Sequence, residues 1–256
     1  MKWLRMLGLY FERTLEYRLR SLLWLLIPLT NNLTLILFWS GAGMNSSSIS
    51  TYYILMTVVS VFTTSHIEHE VSEVDIKQGQ LVNYLTKPIS YYGVQLLSEF
   101  PYRVLQGVYS ILILGAFLLF FPGALRITLP VWHIPLVILL FILGYLISFT
   151  FKLSIAYISF WFKDIRGLFE LVTIVIIIFS GGIMPLPWYP HLLQTVCSIF
   201  PFAYSGYFIV ASLQGSVPLM GLVSLLAIQG VWLGVFLIIN TVLWRNGIKE
   251  FTAMGQ

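Results

Sequence analysis

The chain has 256 residues, 58% of them hydrophobic and only 9% charged, with a formal net charge of +4 at pH 7. Several apolar runs approach the ~20 residues that cross a bilayer as a helix, and no stretch is polar enough for a separate soluble domain. This is a membrane-protein composition, and it gives no ground for nucleic-acid binding. The single cysteine, Cys197, excludes an internal disulfide and a thiolate cluster.

Residues 2–20 carry Trp3, Leu4, Leu7, Phe11, Leu15 and Leu19 at helical spacing, opposite Arg5, Glu12, Arg13, Glu16 and Arg20. Glu16 and Arg20 stand four apart in the favourable order. Residues 1–20 therefore read as a helix lying in the interface on the cytoplasmic side; a plain topological anchor is the blander alternative. The cations spread too far for a secretory leader, and Ser40-Gly41-Ala42-Gly43 is a weak cleavage site.

The first span covers residues 22–39, interrupted by Pro28, with Asn31 and Asn32 needing amide partners on neighbouring helices. An uncharged loop, 40–50, leads to a short Ser/Thr-rich span at 51–65. Residues 66–103 are the most polar stretch, holding Glu68, Glu70, Glu73, Asp75, Lys77, Lys87, Glu99 and Arg103. Their first part is a helix ending near Gly79, expected to be solvated, and Lys87-Pro88 breaks the rest. The third span comes next at 104–121, then a turn at Pro122-Gly123 and a loop with Arg126. The fourth covers 133–157, with Lys152 placed to snorkel to the inner surface. Lys163, Asp164 and Arg166 fill a short connector, and the fifth span is 168–180.

Residues 181–217 are apolar but cannot form one helix. Gly181 and Gly182 loosen the backbone; Pro185, Pro187, Pro190 and Pro201 each remove an amide donor. In a bilayer such backbone survives only against protein, at the interface or along a wet cavity. Trp132 and the Trp188-Tyr189-Pro190 cluster suit an interface, as a plain aromatic belt or as part of a lateral gate. The sixth span covers 219–244, before a tail from Arg245. With six spans and an inner N-terminus, every Lys and Arg except Arg126 falls on the inner side, which puts both termini in the cytoplasm. The fold class expected is an all-α membrane protein, a single domain over 1–256.

No G-x-x-x-x-G-K-[ST] loop is present, so any ATP chemistry belongs to a partner. No nucleophile elbow supports a serine hydrolase. His66, His69, Glu70 and Glu73 have helical spacing, but Glu73 stands where a zinc protease needs its second His. A membrane-embedded metal enzyme using His66, His69 and Glu70 therefore stays a lesser alternative, as does an assembly subunit that moves no substrate.

Four features together resemble the permease subunits of type-2 ABC exporters, most closely a six-span branch of the ABC-2 superfamily. They are the interfacial helix, the stretch from Glu73 through Asp75, Lys77 and Gly79 to Lys87-Pro88, the break from Ser180 through Pro185 to Pro201, and the tail with Trp244, Arg245, Gly247, Lys249 and Gly255. Phe251 stands where the pattern favours tyrosine, a conservative departure. The resemblance implies a coupling helix around Glu70, Glu73, Asp75, Lys77, Gln78 and Gly79 within 66–103, and a second cytoplasmic contact at Lys163, Asp164 and Arg166. It implies re-entrant helices over 181–217 that gate the outer side, with Gly181, Gly182, Pro185, Pro187, Trp188 and Pro201 in the gate. It implies two ABC ATPase subunits that bind the ATP and Mg, with no cofactor in this chain, and a second six-span permease, identical or, more in keeping with the branch, unlike. The setting implied is the bacterial plasma membrane, and the direction export.

Overall fold

The computed structural model describes residues 2–16, 18–43, 46–120, 125 and 127–251; the Pro122-Gly123 turn, Arg126 and the end of the tail lie outside them. Among the described residues every regular element is helical. Helix α1 (Lys2–Glu16) precedes α2 (Arg18–Gly41), and α3 (Ser46–Thr63) returns against it. A short α4 (Ile67–His69) runs into a π-helical segment, Glu70–Lys77, and then a single turn, α5 (Val82–Leu85). Then come α6 (Tyr91–Phe120), α7 (Ile134–Ala156), with 3-10 turns before and after it, and α8 (Arg166–Phe179). The chain next breaks into a 3-10 turn, Leu186–Trp188, and three short helices, α9 (His191–Ile199), α10 (Phe202–Ser205) and α11 (Tyr207–Leu213). The last helix is α12 (Leu219–Glu250).

Among the described residues two elements are long and apolar enough to cross a membrane, Val131–Phe160 and Leu219–Glu250, and the pair His191–Ile199 and Phe202–Leu213 passes the same test together but is bent by 77°. Helix α6 begins well before the expected third span. It starts after the Lys87-Pro88 break and runs through Pro101, so Glu99 and Arg103 belong to it rather than to the connector expected over 66–103. Helix α12 likewise continues past residue 244 to Glu250.

The interior has two ends. At one, here the far end, Tyr52, Tyr53, Leu55, Met56 and Val59 of α3 pack with Val137 and Leu140 of α7, Ile209 of α11 and Leu222 and Leu225 of α12. At the other, the polar end, Ile67, Val71, Ile76 and Leu81 pack with Tyr91, Phe149, Leu153 and Tyr157. Trp244 stacks on Tyr91, ring centroids 4.8 Å apart and 8° from parallel, which fastens α12 to α6 there. Helix α1 lies across α6 at this end, with Trp3 over Gly93 and Phe11 edge-on to Phe100. Leu4, Leu9, Leu15 and Leu19 remain exposed on the α1–α2 arm.

Polar side chains inside the bundle meet one another across helices. Asn32 donates to Thr57 Oγ1 at 2.7 Å, and Asn240 to Ser154 Oγ at 3.1 Å. Gln229, fully buried on α12, donates to the carbonyls of Leu140 and Tyr204 at 3.1 and 2.8 Å.

Helix α12 also supplies a steric contrast. A Cβ on Gly247 would lie 2.2 Å from the Phe160 ring, whereas one on Gly230 would meet nothing within 4 Å. Gly247→Ala should therefore destabilise the detergent-solubilised chain by about 1–3 kcal/mol through overpacking. Gly230→Ala should be neutral or stabilising by up to ~1 kcal/mol, from helix propensity. Denaturation midpoints of the two variants check this, and equal midpoints would count against the packing of α12 on Phe160.

Candidate functional site

Helix α3 ends where Thr63 donates to the Val59 and Ser205 carbonyls, and the chain then crosses to α4 under the side chains of α6 and α7. Glu99 of α6 accepts from Ser65 Oγ at 2.7 Å and from the His66 amide at 3.0 Å, and it pairs with Arg103 one turn along. Tyr145 donates to the same carboxylate at 3.3 Å, and Ser148 Oγ accepts the Ser65 amide at 3.0 Å. Three residues on, Glu68 pairs with Lys152 of α7, both only 2% exposed, and the ammonium also reaches Thr173 Oγ1 of α8 at 3.4 Å.

Two expectations are corrected here. Lys152 does not snorkel to the surface, and the stretch after His66 is not a solvated helix. The reason is common to both: an ammonium inside an apolar bundle costs several kcal/mol unless a carboxylate meets it, and Glu68 does so. Among the described residues no three of His, Cys, Asp and Glu stand close enough to hold a metal ion. His69 instead lies edge-on to Phe169, centroids 5.0 Å apart.

The π-helical segment Glu70–Lys77 decides which side chains of the connector face inward. Its wider turn closes with the Gln78 amide donating to the Glu73 carbonyl, five residues back, and the chain turns away at Gly79, whose φ is +77°. Pi-turns are rare and concentrate at functional sites. Val71, Ser72, Asp75 and Ile76 face inward. Asp75, 4% exposed, accepts at one oxygen from Tyr91 Oη and from Gln95 Nε2 (2.7 Å). Glu70 and Gln78 face outward, with Glu73 and Lys77 half-buried. Glu73 accepts from Lys77 at 2.9 Å and from Arg166 at 3.4 Å, so this one carboxylate joins the first connector to the start of α8. Lys163 and Asp164 are exposed beside it, and Asp164 accepts the Arg166 amide at 3.2 Å.

Of the expected coupling residues, then, Glu73, Lys77 and Arg166 come together, Glu70, Gln78, Lys163 and Asp164 stand at the surface, and Asp75 is turned inside. The two acids differ electrostatically. The hydrogen bond from Lys77, then that from Arg166, hold the Glu73 carboxyl below the ordinary range. Burial pushes Asp75 up, against the opposing hydrogen bond from Tyr91.

At the far end the break after α8 is held by side chains of α2 and α3. Gly181 has φ +81°, and its carbonyl accepts from Tyr52 Oη at 2.7 Å. The Ile183 carbonyl accepts from Tyr53 Oη and from Trp39 Nε1 at 3.2 Å. Tyr189 donates back to Ile178 at 2.9 Å, and the Tyr207 amide donates to Ser180 at 2.8 Å. Pro185 and Pro190 each precede a helical start, and Pro201 sits between α9 and α10, where a missing amide costs least. Trp188 meets Trp39 edge-on at 5.8 Å.

Sequence reasoning passed over Glu68, Glu99, Tyr52, Tyr53 and Gln229. A usable signal existed for two of them: Gln229 sits in an apolar span and so does Lys152, the partner of Glu68, and each implies a polar partner, though nothing in the sequence says which.

Both buried acids of the connector can be tested through stability. Lys152→Met alone leaves the Glu68 charge buried and should cost about 3–5 kcal/mol, whereas Glu68→Met combined with Lys152→Met should recover most of it. Denaturation midpoints would refute the pairing if the double variant were no better than the single. Asp75→Asn keeps an oxygen for Tyr91 and Gln95 and removes a disfavoured charge, so at pH 7 it should be at least as stable as the parent. Asp75→Ala, leaving both donors unpaired, should lose about 1–3 kcal/mol. A raised carboxyl pKa means the folded state binds the proton more tightly, so the parent gains stability as pH falls through that pKa. The advantage of Asp75→Asn should therefore shrink between pH 7 and pH 4, and an advantage independent of pH would refute the assignment.

Among curated proteins none matches the chain. The model of a family described as ABC-2 family transporter protein matches residues 18–255, from the first residue of α2 through α12 and into the tail. With the apolar helices, the charged connectors and the far-end break all inside that match, the chain belongs to the ABC-2 family of transporter proteins and is a membrane transport component.

Proposed function

We propose that this chain is the permease subunit of an ATP-driven exporter, crossing a bacterial plasma membrane six times with both termini in the cytoplasm. The observation that carries the reading is the Glu73 carboxylate held by both Lys77 and Arg166, which ties the two charged connectors into one face. Behind that face, Glu68–Lys152 fastens the connector to α7, and Glu99, accepting from Ser65 Oγ and the His66 amide, fastens it to α6. A force applied to the face reaches the spans through stiff, charge-paired joints rather than a floppy linker.

The force comes from two separate ABC ATPase subunits, which hold the ATP and Mg, since this chain has no phosphate-binding loop. They dock on Glu70, Glu73, Lys77, Gln78, Gly79, Lys163, Asp164 and Arg166, while Asp75 shapes the face from inside. The membrane domain is completed by a second permease, identical or homologous, with an unlike pair preferred. At the other side of the membrane the segment 181–217 is re-entrant and gates the pathway. Its bent α9–α11 run and its reliance on side-chain donors suit it to repacking. The uncharged gate and apolar spans favour an amphipathic cargo over a small ion.

Affinity purification of the tagged chain in mild detergent, with mass spectrometry of what is retained, tests this. A P-loop ATPase should co-purify, and Glu73→Ala with Arg166→Ala should cut its recovery about tenfold. The pair is largely solvated and contributes little to folding, so the denaturation midpoint should hardly move. Undiminished recovery in that variant would remove the connector from the coupling role; a chain that comes alone would return weight to an assembly or enzyme reading.

A further inference from the structure

A cavity of about 400 Å³ opens at the polar end, between the end of the π-helical segment, the loop after α7 and the end of α12. Its size is that of small-ligand sites, ~300–1,000 Å³. Its walls are unlike. Ile76, Phe160 and Phe251 make an apolar floor, with the Phe160 and Phe251 rings edge to face at 6.1 Å. Lys77, Lys163 and Glu250 make a charged rim. Lys77 is held by Glu73, whereas Lys163 and Glu250 form no ion pair with any described residue. Trp161 and Phe162, which also line the cavity, expose 42% and 61% of their surface immediately before Lys163.

One unpaired cation, Lys163, one unpaired carboxylate, Glu250, and Lys77 shared with Glu73, set around an apolar floor beside exposed aromatics, match one ligand chemistry. Aromatic side chains settle at headgroup level, and basic pockets among membrane helices take phosphate headgroups. We infer that this cavity binds a single phospholipid headgroup. The phosphate lies on Lys77 and Lys163, an N–H or O–H of the headgroup donates to Glu250, and the acyl chains pass over Trp161 and Phe162. Glu250 sets the selectivity: a primary ammonium or a glycerol hydroxyl can donate to it, and a trimethylammonium cannot. A bare anion would leave Glu250 repelling it, and an apolar peptide would leave Lys163 desolvated without a partner. Because Lys77 shares Glu73 with Arg166, an occupied cavity biases the same connector that the ATPase is proposed to touch.

The inference rests on the membrane reading of the chain and not on the ATPase coupling, so the test uses the purified chain alone. Native mass spectrometry in detergent, with equimolar dioleoyl phosphatidylethanolamine, phosphatidylglycerol and phosphatidylcholine added, reads lipid retained per chain. The first two should be retained one per chain, with phosphatidylcholine clearly behind. Lys77→Ala with Lys163→Ala should cut retention about 30-fold, from two lysine–headgroup attractions, and the Lys→Arg pair should restore it. Glu250→Ala should abolish the preference over phosphatidylcholine. Arg245→Ala with Lys249→Ala, cations outside the cavity, should change nothing. Equal retention of all three lipids by the parent, undiminished retention in the Lys→Ala pair, or an equal loss in the Arg245/Lys249 control would overturn the proposal. So would lipid displaced whenever a partner protein co-purifies, which would assign the cavity to that partner. Failure here leaves the transport reading standing, and loss of the ATPase interaction leaves this site standing.

Discussion

A polar group inside an apolar bundle must find its partner within the protein, because neither lipid nor a packed core offers one. Backbone carbonyls, amides and charges left alone there cost several kcal/mol each. Most of this molecule's internal order answers that demand. Gln229 bridges α12 to the carbonyls of Leu140 and Tyr204, Asn32 ties α2 to α3, and Asn240 ties α12 to α7. The irregular segment after α8 persists because Tyr52, Tyr53 and Trp39 reach over to its free carbonyls. Such backbone, poor in helical hydrogen bonds, keeps its shape only while those side chains stay in place. That dependence couples the far-end segment to the positions of α2 and α3.

At the polar end the same demand is met with charges, and the result is stiffness. Between α3 and the π-helical segment the chain is held within a few residues by Glu99 on α6 and by Lys152 on α7. Buried ion pairs contribute little net stability, because desolvation offsets their attraction. What they add here is registry: three helices and the connector take one arrangement, and any other would strand a charge. The Glu73 carboxylate extends the arrangement to α8 through Arg166. Its energy is small because it is partly solvated, so it is more easily remade than the buried pairs behind it. A rigid inner layer of buried pairs thus lies beneath a more labile, partly solvated outer one.

Much of the fold is legible in the sequence. The helical starts after Pro218 and near Arg166, the extent of α7 and the broken run after Phe179 all come from apolar length and the positions of Gly and Pro. The start of α6 is not legible, because a stretch holding Glu99, Arg103 and Pro101 reads as part of the polar connector, whereas buried pairing lets it continue as helix. The connector misleads for a related reason. Glu68, Glu70, Glu73 and Asp75 look alike in sequence, yet Glu68 and Asp75 are buried while Glu70 is exposed and Glu73 half-buried. The π-helical turn shifts which residues face inward, and no periodic reading at 3.6 residues per turn registers that shift.

Composition and residue order alone are enough to establish a membrane-embedded helical chain with no Walker-type phosphate loop and with a break that cannot be one helix. Those properties are local: they are set by apolar length, by backbone chemistry and by neighbours along the chain. Which charges neutralise each other, which tyrosines hold the broken segment, and which face of the connector is open to a partner emerge only in the packed molecule. Each of those depends on residues far apart in sequence meeting at hydrogen-bonding distance, as Lys152 meets Glu68 and Tyr53 meets Ile183. The pairing energy that selects such meetings exists only once the helices have packed and the solvent has gone.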